Sequence, residues 1–202
     1  KLAKIAPTDV ILGNHDLNLA QLDQGDAISP IFHLANMIEE GEDKKAYIVT
    51  NENKDEIDFS KKAVYYFPDS GFYNIGEELV YGVYSCKDNE ILTLEKKEPG
   101  KKYIAFYHGT VYGARNDNGM MSHGDNLMRL TTFNNFDMVM LGDIHEYQVF
   151  REDESCAYSG SLIQQNFGES IDKGYLMWNT DDSTHERKYI MNDYGFAKID
   201  IS

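Results

Sequence analysis

Three short polar clusters in this sequence combine side chains that hard or borderline metal ions accept. They are Asn14-His15-Asp16 behind Gly13, His108 ahead of Gly109, and Asp143-Ile144-His145 behind Gly142. Imidazole nitrogen together with amide and carboxylate oxygen is a donor set suited to Mn, Zn or Fe. Each cluster follows an apolar run that reads as a strand. In open α/β folds, ligand sites form in the crevice beyond the carboxyl ends of strands. Glycine beside each cluster allows tight backbone geometry next to the side chain that matters. One such cluster is a weak signal, and three in the same context are a stronger one.

The elements that must position them follow from patterning. Residues 1–6 read as the tail of a helix, and residues 8–12 as a short buried strand leading into the first cluster. A domain seldom begins one strand before so polar a motif, so upstream sequence is expected to be absent. Ser29-Pro30 opens a helix, with Ser29 as cap and Pro30 at the first helical position. Ile31, Leu34, Ala35 and Ile38 have the spacing of one buried face. Strands are expected at 46–50, 63–67 and 79–85, with a polar loop between the first two. A strand over 102–107 delivers His108. A loop covers 112–126, a helix 126–133, and a strand over 137–141 delivers the third cluster. The last third reads as short strands at 147–150, 157–159, 175–178, 186–190 and 196–201.

Composition bounds the function without choosing it. The 202 residues suffice for one well-buried domain. The 14 Tyr and 10 Phe favour a sheet-rich architecture. No apolar run reaches the roughly 18 residues a membrane span needs, and no signal-peptide pattern opens the chain. Two cysteines, Cys86 and Cys156, without C-x-x-C spacing read as reduced thiols in a cytoplasmic protein. With 19 Lys+Arg against 34 Asp+Glu, the net charge of −15 argues against a broad basic face for DNA. It does not exclude a metalloenzyme, whose ions neutralise the carboxylates at a site and attract phosphate.

Gly-Asn-His-Asp after a strand, a strand-end His-Gly, and Gly-Asp-Ile-His after another strand resemble the later motifs of calcineurin-like metallophosphoesterases. Within them the chain is most similar to the SbcD-type break-repair exonuclease subunit of bacteria, phages and large DNA viruses. The residues behind this are 141–148 (LGDIHEYQ), 158–169 (YSGSLIQQNFGE) and 173–175 (KGY), with 84–88 and 26–30 in support. The similarity spans nearly the whole chain, and the Gly-Ser-Leu-Ile stretch separates nucleases from generic phosphatases. The resemblance implies an α/β (α+β) fold, a sandwich of two mixed β-sheets flanked by helices that lacks its first strands. Residues 1–202 would then be an incomplete phosphoesterase domain, without its first two metal motifs and C-terminal cap.

By the same resemblance, Asn14, His108 and Asp143 bind one metal ion and His145 the other. Asp143 replaces the first His of the family's Gly-His-x-His, which tilts preference towards Mn²⁺ or Mg²⁺. His15 is the catalytic histidine, oriented by Asp16. The four ligands are expected to converge on one ion-sized spot with His15 alongside. With the upstream ligands missing, these residues alone are expected to bind two Mn²⁺ (or Mg²⁺) poorly and to be inactive. The implied partners are DNA and an SbcC-type coiled-coil ATPase. Exposed sheet edges predict a homodimer. The cytoplasm or nucleoid is the expected location, and a phage or viral origin fits.

Blander readings stand beside these. Asn14-His15-Asp16 could be an ordinary turn, His108 a satisfied core histidine, and Asp143 a capping carboxylate. His33 reads as solvated and His185 as a turn residue. His123, Gln148 and Ser161 are candidates to line the substrate, against a bland role in loops and turns. Two other functions stay open: a phosphatase or phosphodiesterase acting on small substrates, and a non-catalytic remnant of the fold.

Overall fold

The computed structural model describes residues 5–18, 25–38, 45–88, 90–116, 119–193 and 195–196. Helix 1–6 falls largely outside them; Ile5 and Ala6 lie in a turn and a bend. The chain is a mixed α/β protein with several sheets and few helices, and it divides into two compact units, 1–108 and 109–202.

In the first unit, β1 (Thr8–Ile11), β2 (Ala46–Ile48) and β3 (Val64–Phe67) form a parallel sheet in the order β1-β3-β2. Its central strand is buried on both faces, as parallel sheets require. Tyr65 and Phe67 point to one side, where Val49, Ala63, Tyr73 and Val83 complete an apolar cluster. Tyr66 points to the other, against Leu12, Leu17 and Phe32. Tyr73 and Val83 belong to β4 (Gly71–Ile75) and β5 (Leu79–Tyr84), an antiparallel hairpin extended by β6 (Lys102–His108) running parallel to β5. The first sheet thus packs one face on the second.

The other face is covered by helix α1 (Ser29–Ile38), and here the expectation needs correction. Ile31, Leu34 and Ala35 are exposed, and the buried side chain is Phe32, whose ring lies 5.4 Å from that of Tyr66. Ile38 ends the helix, outside the residues whose side chains are described. The cap is Asp26 instead of Ser29. Its Oδ1 accepts the N–H groups of Ile28 (2.8 Å) and Ser29 (2.6 Å), and its Oδ2 accepts the Ser29 hydroxyl proton (2.7 Å). One carboxylate oxygen thus satisfies two backbone donors while the other takes the Ser29 hydroxyl proton.

A second carboxylate locks the end of the hairpin. Asp88 accepts the N–H (2.8 Å) and the hydroxyl (2.6 Å) of buried Ser70, and Ser70 Oγ accepts the N–H of buried Ser85 (2.8 Å). Burial opposes ionisation of Asp88. The N–H of Glu90 and both Ser70 donors outweigh that and hold its carboxyl below the usual range. A depressed folded pKa stabilises above the unfolded value of about 3.9, and this stabilisation disappears as pH falls through the folded value. Asp88→Asn is therefore expected to lower the urea midpoint at pH 7, with the gap to wild type closing below about pH 4. A constant gap between pH 7 and 3 would remove Asp88 as the cause.

In the second unit, β7 (Met138–Gly142) pairs in parallel with β9 (Cys156–Tyr158), and β8 (Gln148–Val149) pairs antiparallel with β9. Strands β10 (Lys173–Asn179) and β11 (Thr184–Ile190) make an antiparallel ribbon. Gly174 is obligatory there, since a Cβ would collide with the carbonyl of Lys188 across the ribbon. The helix expected at 126–133 shrinks to a 3₁₀ turn, Leu130–Phe133. The strand expected at 196–201 lies outside the described residues except for Phe196, which is in no strand. Among the described residues no helix is long and apolar enough to cross a membrane.

Candidate functional site

All three clusters sit at carboxyl ends of strands: Asn14–Asp16 after β1, His108 as the last residue of β6, and Asp143 to His145 after β7. The first two belong to the first unit. Asn14–Asp16 is a single 3₁₀ turn whose preceding backbone N–H, at Gly13, donates to Asp16 Oδ2 at 3.0 Å. The Asp16 carboxylate therefore closes the turn that contains His15. His15 is exposed, while Asn14 is half-buried. A Cβ on Gly13 would stand 3.1 Å from Asp16 Oδ2 and 3.3 Å from His108 Nε2. Glycine is thus what lets the His108 ring close against the Asn14 turn.

In the second unit, Asp143 adopts φ +99, a conformation that L side chains rarely take. Its Oδ2 accepts the Thr110 hydroxyl proton at 2.8 Å. Gly109 N–H donates to the Gly142 carbonyl (3.1 Å), and fully buried Tyr158 bridges the same loop. The Tyr158 hydroxyl donates to Gly109 O (2.7 Å) and accepts from the Val111 N–H (2.9 Å). Tyr158 thus braces the segment that carries Thr110. Gly160, at φ +77, passes beneath His145; a Cβ there would meet the His145 carbonyl at 3.1 Å.

The His145 ring is held at Nδ1. Nδ1 lies 3.0 Å from Glu169 Oε1. The Glu169 side chain is 2% exposed and pairs with Lys173 at 2.6 Å, itself 3% exposed. Burial alone would raise the Glu169 pKa; bonds from Lys173, the Gln165 N–H and His145 overcome it and keep the carboxyl below its usual value. Lys173 Nζ also donates to the His145 carbonyl at 3.2 Å. An open cleft of about 410 Å³ runs beside this group, with Tyr147 and Arg187 among its lining.

The three residues considered for substrate contact are engaged locally. Gln148 clasps the backbone of Arg115, accepting its N–H at 2.6 Å and donating to its carbonyl at 2.7 Å. Ser161 Oγ donates to Ile163 O at 2.9 Å. His123 packs edge-on against Tyr112, which carries Arg129 over its face at 3.9 Å. His185, read as a turn residue, is in β11; it bonds the Tyr147 hydroxyl (2.9 Å) and the Glu154 carbonyl (2.8 Å) and stacks on Trp178. His33 is exposed, as expected. Cys86 and Cys156 are both thiols, and burial pushes Cys156 up to about 12, which leaves it inert as a nucleophile.

The residue that pattern reading passed over is Glu169. It ends the 158–169 stretch, but its partner His145 is 24 residues away, so local spacing carried no trace of the contact. The donor chemistry of Asn14, His108, Asp143 and His145 fits a divalent ion of the Mn or Mg type. Among the described residues no three His, Cys, Asp or Glu side chains are grouped so as to hold a metal ion by themselves.

No family model matches the chain. It is 34% identical over 210 residues to a protein of Acanthamoeba polyphaga mimivirus named uncharacterized protein R555. The match covers 99% of this chain and 14% of the mimivirus protein. The chain therefore spans about a seventh of the length of that relative.

Proposed function

We propose that the chain is part of a divalent-metal-dependent DNA nuclease, with the two-sheet sandwich of the calcineurin-like metallophosphoesterases. One observation carries the reading. At the end of β7, a carboxylate in a strained backbone conformation stands two residues before an imidazole fixed by a buried acid. Backbone strain of this kind clusters at active sites, and carboxylate-oriented imidazoles are characteristic of metal ligands.

In this reading Asn14, His108 and Asp143 would hold one ion and His145 the other. Two such ions would polarise the phosphodiester and activate water for in-line attack. Exposed His15 would protonate the departing sugar oxygen as a general acid. Asp16 keeps the His15 turn closed through Gly13. The acidic net charge assigns DNA attraction mainly to the bound ions and to an SbcC-type ATPase partner.

Expressed in its complete genomic reading frame, the protein is expected to cleave linear DNA with added Mn²⁺. His15→Gln should lower kcat by roughly 10²–10⁴-fold while leaving Mn²⁺ affinity in place. His145→Ala should lower both. Wild-type cleavage that survives His145→Ala, or no Mn²⁺ binding at all, would sink the nuclease reading. Turnover of aryl phosphates without DNA cleavage would replace it with a small-substrate phosphatase.

A further inference from the structure

Glu169 has all its acceptor positions filled from within the second unit. Oε1 accepts from His145 Nδ1 (3.0 Å) and Asn166 Nδ2 (2.7 Å), and Oε2 accepts from Lys173 Nζ (2.6 Å) and the Gln165 N–H (3.0 Å). The Glu169 carbonyl accepts a further bond from Gln164 Nε2 at 2.8 Å. An ionised carboxylate offers lone pairs and no proton. The nitrogen of His145 that faces it must therefore be the N–H. Nδ1 carries the proton, and the lone pair of a neutral ring is left on Nε2, at the far edge.

We infer that Glu169 is the positioning residue for His145: it fixes the ring as the Nδ1–H tautomer and aims Nε2 as the metal-binding atom, with Lys173 as its buried counter-ion. Lys173 steadies both ends of the contact, since its ammonium also holds the His145 carbonyl. A pair placed only for stability would have no reason to include the imidazole. Asn166 and the Gln165 N–H already fill two of the acceptor sites, and a third local donor would complete the shell. The ligand role of His145 rests on the nuclease reading; its tautomer does not.

The test separates the two. Long-range ¹H–¹⁵N spectra of the full chain, recorded near neutral pH without metal, are expected to show His145 as the Nδ1–H tautomer. The Glu169→Gln/Lys173→Met double variant keeps a carbonyl oxygen beside Nδ1 and removes both charges, so the tautomer should persist. Glu169→Leu/Lys173→Met removes the acceptor, and the ring should shift towards Nε2–H. Affinity for Mn²⁺ alone, measured by calorimetry on the full reading frame, should then fall by about 10–100-fold in the leucine variant and little in the glutamine variant. A wild-type Nε2–H tautomer overturns the inference without any variant, as does an Nδ1–H tautomer that survives in the folded leucine variant. If the tautomers behave as expected and the wild type binds no Mn²⁺, Glu169 still positions His145, and it is the nuclease reading that falls.

Discussion

Replacing Lys173 with methionine is expected to destabilise the second unit by roughly 3–5 kcal/mol, the cost of leaving a buried ion pair with one partner. Both side chains are almost fully enclosed, 3% exposed for Lys173 and 2% for Glu169, so water cannot take over the lost bond. Without the ammonium, Glu169 keeps Asn166, His145 and the Gln165 N–H as donors. These are weaker compensation than a full positive charge 2.6 Å away. The carboxyl is then left with less to hold its charge, and its contact with the His145 ring is disturbed. Removing both charges should be far milder. Glu169→Gln/Lys173→Met keeps a carbonyl oxygen for His145 and Asn166 and turns an NH2 towards the Gln165 N–H. This neutral mismatch costs less than an unpaired buried charge. Urea titration at pH 7 distinguishes these cases. A Lys173→Met loss below about 1 kcal/mol, typical of exposed pairs, would mean that the pair is open to solvent.

How far the sequence foretold this structure depended on whether each feature was local. The strands before the clusters were legible because apolar runs such as 102–107 and 137–141 are continuous and end in polar, glycine-bearing motifs. Strand β4 was passed over. Its first residue is Gly71, which reads as a loop; a Cβ there would have to displace the Asn51 side chain. The face of α1 was misjudged because spacing counts apolar residues without weighing size or partners. Phe32 finds the Tyr66 ring, and the helix rotates to bury it, leaving Ile31 and Leu34 outside. The same limit applies at the site. His145 and Asp143 were legible as types in a motif. The Glu169 contact and the φ of Asp143 were not, because both arise from tertiary packing.

That backbone angle yields the second large effect. Asp143→Gly is expected to leave the fold as stable as the wild type, while Asp143→Ala is expected to be less stable than Asp143→Gly by about 1 kcal/mol. At φ +99, an L residue is strained and glycine is not. Against that relief, glycine adds roughly 0.5–1 kcal/mol of unfolded-chain entropy, and losing the Thr110 bond costs about 1 kcal/mol. These terms nearly cancel. Alanine loses the bond and keeps the strain, so the two variants isolate the backbone contribution. Glu154 (φ +58) and Ser183 (φ +62) sit in the ordinary left-handed basin of turns; Asp143 lies well beyond it. If glycine serves the fold at least as well, the aspartate is retained for its carboxylate. Both variants should accordingly lose Mn²⁺ affinity together, whatever their stabilities. A glycine variant less stable than the alanine variant, by the roughly 0.5–1 kcal/mol of its chain entropy, would show the backbone to be unstrained. Undiminished Mn²⁺ binding in both would remove Asp143 from the metal site and leave Thr110 as the reason for its presence.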